Sequence, residues 1–297
     1  MSTRASDTIR VYARAKINLY LHVLNRREDG YHELDSLFVF GDFADVIAVT
    51  PARSLSLEIQ GPFAEKLSTK EDNSVLRAAR LLADAVQIRP QTKITLTKNL
   101  PIAAGLGGGS ADAAAVLRAL AELWQISPSA VDLTLLGLGI GSDVPACLLS
   151  EPCYVGGIGE QVEPIPGLPA FPLLLVNPGV ELATRSIFGT FGKEFSEAAR
   201  FPKIPSTISE LVSLLKTRHN DLQRPAIKKC SAVAEIIHAI DETDGCLLAR
   251  LSGSGATCFG IYGNIVKAKQ AAALLKKRGW WAEATMTAKA ERPWEDL

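Results

Sequence analysis

The stretch PIAAGLGGGSADAAAVLRALAEL, residues 101–123, sets four glycines within six residues, GLGGGS, directly before an alanine-rich run. Glycine inside a regular element costs roughly 0.5–1 kcal/mol relative to Ala. A cluster at a helix start therefore marks a local need, either close approach to the backbone or positive φ. The first turn of a helix carries unpaired N–H groups and the positive end of the dipole. A glycine loop feeding that terminus is a ready anion site, most often for phosphate. A flexible turn ahead of a core helix is the simpler alternative. Ser110 is the expected N-cap, and Val116, Leu120, Leu123 and Trp124 form a helical core stripe. Two familiar phosphate loops are excluded: G-x-x-x-x-G-K-[ST] does not occur, and GLGGGS has Ser110 at the last glycine position of G-x-G-x-x-G.

The chain of 297 residues is long enough for two domains. Thirty-two basic and thirty-two acidic residues cancel, so no basic field marks a nucleic-acid or membrane surface. The five cysteines, Cys147, Cys153, Cys230, Cys246 and Cys258, are scattered without a zinc or disulfide pattern, which implies a reducing, cytoplasmic compartment. The N-terminal MSTRASDTIRVYARAK lacks a signal-peptide core, and no apolar run approaches the ~18 residues of a membrane span.

KINLYLHV, residues 16–23, alternates and predicts a strand with one buried face: Ile17, Leu19, Leu21 and Val23 inward, Lys16, Asn18, Tyr20 and His22 outward. RSLSLEIQG and KITLTKNL read as further strands, and EDNSVLRAARLLADAV as a helix starting at Asn73/Ser74. Residues 129–139 look helical. PIPGLPAFP, residues 164–172, carries four prolines and reads as a linker, so the expected domains are 1–163 and 164–297. LLLVNPGV is a strand, ISELVSLLKTRHNDL, SAVAEIIHAID and VKAKQAAALLKKRG are helical, and ARLSGSGATCFGIYG reads strand, glycine turn, strand. The pattern is that of a mixed α+β protein.

Three segments carry the functional reading. ARAKINLYLHV holds Lys16 and Asn18 on one strand face; alone, Lys16 is as well explained as a solvated edge charge. PIAAGLGGGSADAA is the second. RLSGSGATCFG is the third, and alone it is an ordinary hairpin turn. In this order and spacing the set resembles the galactokinase, homoserine kinase, mevalonate kinase and phosphomevalonate kinase superfamily, the GHMP kinases. The resemblance implies a two-domain fold: an N-terminal ribosomal protein S5-like ATP-binding domain and a C-terminal ferredoxin-like α/β sandwich. It also implies an ATP-dependent small-molecule kinase whose long glycine loop, Pro101, Ile102, Ala103, Ala104, Gly105, Leu106, Gly107, Gly108, Gly109, Ser110 and Ala111, wraps the phosphates.

NRREDGYHELDSLFVF, with GIGSDVP, GIGEQVEPI and VNPGVELATRSIF, is similar to segments of one branch of that superfamily, whose members phosphorylate 4-diphosphocytidyl-2-C-methyl-D-erythritol. The departures are Ser142 where Ala is common, Ala146 and Cys147 where aromatics are frequent, and Ala13-Arg14 at the lead of the first motif. None removes a reacting group. The resemblance implies Asp143 as catalytic carboxylate and Lys16 as its cationic partner. Asn18 would bind the erythritol hydroxyls, Tyr31, His32 and Phe188 the cytosine, and Gly253, Ser254 and Gly255 would close over phosphates from the second domain. Without the resemblance, Asp143 reads as a helix cap before Pro145, and Tyr31, His32 and Phe188 as packing residues. Mg²⁺ is expected on ATP, with Ser110 as a candidate ligand and no dedicated carboxylate cage. The expected partners are small molecules, with no nucleic acid and no membrane, on a monomer or homodimer. Another GHMP substrate, or a non-catalytic nucleotide-binding regulator on the same fold, stands as the alternative.

Overall fold

The computed structural model describes residues 8–69, 73–192 and 194–288. The N-terminal leader reading and both outer domain ends fall in part outside them. The alternating stretch around Ile17 belongs to an 18-residue strand, β1 (Ile9–Arg26), paired antiparallel with the 20-residue β2 (His32–Pro51). The first half of β2 also pairs with β5 (Cys153–Gly157), itself paired with β6 (Gln161–Pro164). Its second half pairs with β4 (Thr92–Thr97), which is parallel to β3 (Ser56–Gln60). This six-stranded sheet is covered on one face by α1 (Ser74–Ala85), α2 (Gly108–Leu123), α3 (Leu133–Leu138) and α4 (Val144–Leu149). Ile47, Val49, Leu82, Ile94, Val116 and Leu120 fill the space between.

The chain leaves this sheet at Pro164 and enters the second at Pro172, so the proline-rich stretch connects the two sheets. The second sheet has the order β10 (Trp281–Met286), β7 (Pro172–Asn177), β9 (Cys258–Tyr262), β8 (Cys246–Leu251), all antiparallel. Between β7 and β8 run α5 (Thr184–Phe188), α6 (Ile208–Lys216), α7 (Gln223–Lys229) and α8 (Ala232–Asp241); α9 (Ile265–Lys276) joins β9 to β10. The β-α-β-β-α-β order is ferredoxin-like. Along β7, Leu173 and Leu175 face the first sheet and Leu174 and Val176 face α8 and α9, so the strand is buried on both sides.

Two expectations are corrected here. β1 does not have one buried face: Lys16, Asn18, Tyr20 and His22 are all at most 5% exposed. Ile17 and Leu19 pack against Leu173, Leu175, Phe259 and Ile261 of the second sheet. On the face that the alternation marks as polar, the glycine turns enclose Lys16 and Asn18, residues 196–201 cover Tyr20 and His22, and the polar groups are paired. Tyr20 donates to Asp35, and His22 Nδ1 meets the Glu197 carbonyl at 2.8 Å. The helix expected over 129–139 is only Leu133–Leu138, because Asp132 caps it by accepting from the Thr134 and Leu135 amides. Ala146 and Cys147 are buried among apolar neighbours, which places those sequence departures in the core.

Candidate active site

The glycine-rich segment does what its composition requires, with one shift of register. The N-cap of α2 is Gly107, at φ 63° and ψ 20°, and no side chain caps it. Ser110, the expected cap, is the third residue of the helix. A left-handed cap without a side-chain acceptor leaves the first N–H groups of α2 available to a ligand. Gly105 explains a second glycine. It sits at φ 76°, and a Cβ there would lie 2.5 Å from the Ser252 carbonyl oxygen and 2.8 Å from the Gly255 nitrogen. The two glycine turns, 147 residues apart, are thus packed back to back. Ser252 Oγ donates to the Gly105 carbonyl at 3.0 Å, and the Thr257 amide to the Ala104 carbonyl at 2.9 Å.

Both turns open on a cleft of about 1500 Å³. Pro101 to Gly105, Gly107 to Ser110, Gly253 and Ser254 line it. Three expected contacts stand behind the wall instead: Leu106 and Ala111 are packed into the cores, and Gly255 backs against Gly105. The Leu106 carbonyl has its own task, accepting from the Lys16 amide at 2.9 Å.

Lys16 and Asp143 meet in this cleft, Nζ to Oδ2, at 3.2 Å, the lysine side chain 6% and the carboxylate 30% exposed. β1 carries a bulge between Arg14 and Lys16, which re-aims the side chain. Asp143 occupies the N-cap position of α4, with Pro145 just inside, yet its carboxylate accepts no helix amide. The capping alternative is therefore excluded, and the carboxylate is left facing Lys16. Lys16 Nζ also donates to Asn18 Oδ1 at 2.8 Å, and Asn18 Nδ2 donates to Ser36 Oγ at 3.0 Å. Both ends of the Asn18 amide are thereby committed to holding Lys16.

A second charged group lies under the loop, and sequence reasoning missed it. Lys98 donates to Asp45 at 2.5 Å and to Asp112 at 2.6 Å, all three at most 3% exposed. Burial opposes the Lys98 charge, but the two carboxylates outweigh it and hold its pKa above the usual lysine value. Burial also raises Asp112, whose Oδ1 has no partner. A Cβ on Gly108 would sit 3.1 Å from Lys98 Nζ, so the start of α2 rests on this ammonium. The available signal was an aspartate in each of β2 and α2 and a lysine directly after β4, all beside apolar residues.

At the far end of the cleft His32 stacks on Phe188, centroids 5.0 Å apart and planes at 27°, with Phe191 edge-on at 5.9 Å. Burial, with the Arg26 charge nearby, lowers the His32 pKa below the ordinary histidine value. Tyr31 is at the rim, 60% exposed. His32 and Phe188 do not flank an empty slot: a base sandwiched between two rings needs about 7 Å between their planes. Thr184 Oγ1 and Ser254 Oγ, 2.9 Å apart, tie α5 to the second glycine turn. Among the described residues no cluster of three or more His, Cys, Asp or Glu is arranged to hold a metal, and no helix is long and apolar enough to cross a membrane. His22 and His219 stack on one another at 4.5 Å away from this wall, and Trp281 packs against Phe43.

Two family models match the chain: the GHMP kinases N-terminal domain over residues 73–151 and the GHMP kinases C-terminal over residues 203–279. A 4-diphosphocytidyl-2-C-methyl-D-erythritol kinase of Paramagnetospirillum magneticum is 48% identical over 273 residues, covering 91% of this chain and 95% of the relative. The enzyme of that name from Rhodospirillum rubrum is 44% identical over 282 residues, covering 94% and 93%. A crystal structure of 4-(cytidine 5'-diphospho)-2C-methyl-D-erythritol kinase superposes with a TM-score of 0.77 at 34% identity, over 95% of this chain and all of that one. Homoserine kinase from Cytophaga hutchinsonii, at 17% identity and a TM-score of 0.71 over 99% and 98%, shares the fold. The chain belongs to the 4-diphosphocytidyl-2-C-methyl-D-erythritol kinase family, within the GHMP kinases.

Proposed function

We propose that the chain transfers the γ-phosphoryl group of ATP to the 2-hydroxyl of 4-diphosphocytidyl-2-C-methyl-D-erythritol, giving ADP and the 2-phosphate. The observation that carries the chemistry is the Lys16–Asp143 pair at 3.2 Å, in a cleft shared with the open N-terminus of α2. Phosphoryl transfer asks a protein mainly for positioning and charge stabilisation. Asp143 orients the substrate hydroxyl and accepts its hydrogen bond as the bond to phosphorus forms. Lys16 pairs with that carboxylate and faces the transferring group. Asn18 positions Lys16, a role different from the substrate contact expected of it. Gly107 to Ser110 present backbone N–H groups to the phosphates, with Gly253 and Ser254 on the opposite side. Phe188 offers a ring face to the base and His32 an edge, and Tyr31 at the rim covers the outer face.

Mg²⁺ fits this wall as a guest of the nucleotide. Ser110 and Asp143 supply two oxygen donors to one cleft, and Mg²⁺ takes one or two protein oxygens beside phosphate and water. Bound there, it would offset phosphate charge. All of these groups come from a single chain, which we take as the catalytic unit. The five free cysteines accord with a reducing cytoplasmic setting.

ADP release measured with Mg-ATP and the cytidylylated alcohol, beside mevalonate, homoserine and galactose, tests the reading. Turnover with the cytidylylated alcohol alone is expected. Turnover with another alcohol would keep the kinase and overturn the substrate, and ATP binding without turnover on any would favour a regulator.

A further inference from the structure

Four described cations line the cleft: Lys16, Lys98, Arg26 and Arg185. Their commitments differ. Lys16 is held by Asp143 and Asn18, and Lys98 is enclosed by Asp45 and Asp112. Arg26 and Arg185 are exposed, and neither guanidinium has an acceptor among the described residues. Arg26 is the last residue of β1 and pairs in register with His32, so it stands beside the aromatic end. Arg185 lies elsewhere, on α5.

The short helix α5 spans the interval between the two working ends of the cleft. At one end Thr184 meets Ser254, next to Gly253, where an added Cβ would lie 3.1 Å from Asn18 Oδ1 and 3.7 Å from Lys16 Nζ. At the other, Phe188 stacks on His32. Thr184 and Phe188 are i and i+4, Arg185 and Phe188 i and i+3, so the three share one face. Four residues of helix cover about 6 Å. A substrate whose base lies by Phe188 and whose hydroxyl lies by Lys16 must run its linking diphosphate along this interval.

Resting on the cytidylylated-substrate reading above, we propose that Arg185 binds the diphosphate of the acceptor substrate and so selects a nucleoside-diphosphate-linked alcohol over a free one. A guanidinium is suited to this: its planar fork donates two parallel hydrogen bonds to phosphate oxygens and stays charged at any working pH. The other cleft lysines cannot substitute without breaking an existing ion pair. An uncharged free alcohol such as galactose has no anionic group to offer Arg185.

Calorimetric titration of the full chain with CDP and with cytidine tests this, using saturating Mg-ADP to occupy the nucleotide-donor side. The wild type binds CDP at least about tenfold more tightly than cytidine, the scale of one charge-assisted pair. In Arg185→Gln that ratio falls to about threefold or less, while cytidine binds as before. Arg26→Gln keeps the ratio. The proposal is overturned if Arg185→Gln keeps the ratio, if it weakens CDP and cytidine alike, or if the ratio is lost in Arg26→Gln instead. A wild type that binds neither probe would overturn the cytidylylated-substrate reading itself. Arg185 is exposed on a surface helix, so the variant is expected to melt with the wild type, which circular dichroism checks.

Discussion

The contact between the two glycine turns can be broken by one methyl group. In Gly105→Ala the new Cβ would lie 2.5 Å from the Ser252 carbonyl oxygen, 2.8 Å from the Gly255 nitrogen and 2.9 Å from the Gly255 oxygen. All three are backbone atoms, so no side chain can swing aside. The residue must also hold φ 76°, which costs a non-glycine residue about 1–2 kcal/mol. Forcing the turns apart adds an overpacking cost of roughly 1–3 kcal/mol. The total is about 2–5 kcal/mol, or roughly 3–8 °C in melting temperature for a chain of this size. Gly167→Ala separates the two costs: its φ is 86°, but nothing lies within 4 Å of the added Cβ. Thermal melts of both variants should place Gly105→Ala below Gly167→Ala by at least about 1 kcal/mol. Only Gly105→Ala should also raise the KM for ATP, because the Ser252–Gly105 hydrogen bond sets the loop. Equal melts and an unchanged KM would refute the close packing of the two turns.

The other predictions concern chemistry and pH. Asp143→Asn should lower kcat by about 10²–10⁴ while ATP affinity, read by calorimetry, stays within about threefold; near-wild-type turnover would remove Asp143 from the mechanism. His32→Ala should raise the KM for the cytidylylated alcohol about tenfold, leaving that for ATP alone, and equal losses on both substrates would argue against a base site there. His22 contributes a pH dependence of stability. Burial, together with the neighbouring His219, lowers its pKa below 6.5, partly offset by its bond to the Glu197 carbonyl and by Asp221 and Asp35. The unfolded chain therefore takes up the proton first, so the His22 contribution is full above about pH 6.5 and is lost as pH falls. Urea midpoints at about pH 7.5 and 5.5 should differ less in His22→Asn than in the wild type; the same slope in both would assign the effect to other groups.

The sequence made much of this legible because local chemistry dictated it. Glycine spacing located the uncapped N-terminus of α2, Asn73 marked the start of α1, and four prolines marked the passage between sheets. The misses share one cause: they depend on what packs from far along the chain. Alternation in β1 predicted an exposed face, but the glycine turns and residues 196–201 cover it, which local periodicity cannot register. Ser110 looked like a cap because serine so often is one, whereas a left-handed Gly107 starts the helix three residues earlier. Asp45 comes from β2, Asp112 from α2 and Lys98 from the turn after β4, and only the fold joins them. Asp143 lay between two readings, cap or catalyst, until the geometry showed that its carboxylate caps nothing.

The most direct test of the central claim is proton-coupled ³¹P NMR of the reaction with Mg-ATP and 4-diphosphocytidyl-2-C-methyl-D-erythritol. Carbon 2 of the acceptor carries the methyl group and no hydrogen, so a phosphate on its hydroxyl has no three-bond proton coupling. The account predicts one new unsplit phosphomonoester signal growing as ATP becomes ADP, with the substrate diphosphate intact, and no such signal from Asp143→Asn. A new signal split by proton coupling would place the phosphate on another hydroxyl, and ATP loss without any new phosphomonoester would contradict transfer to the alcohol.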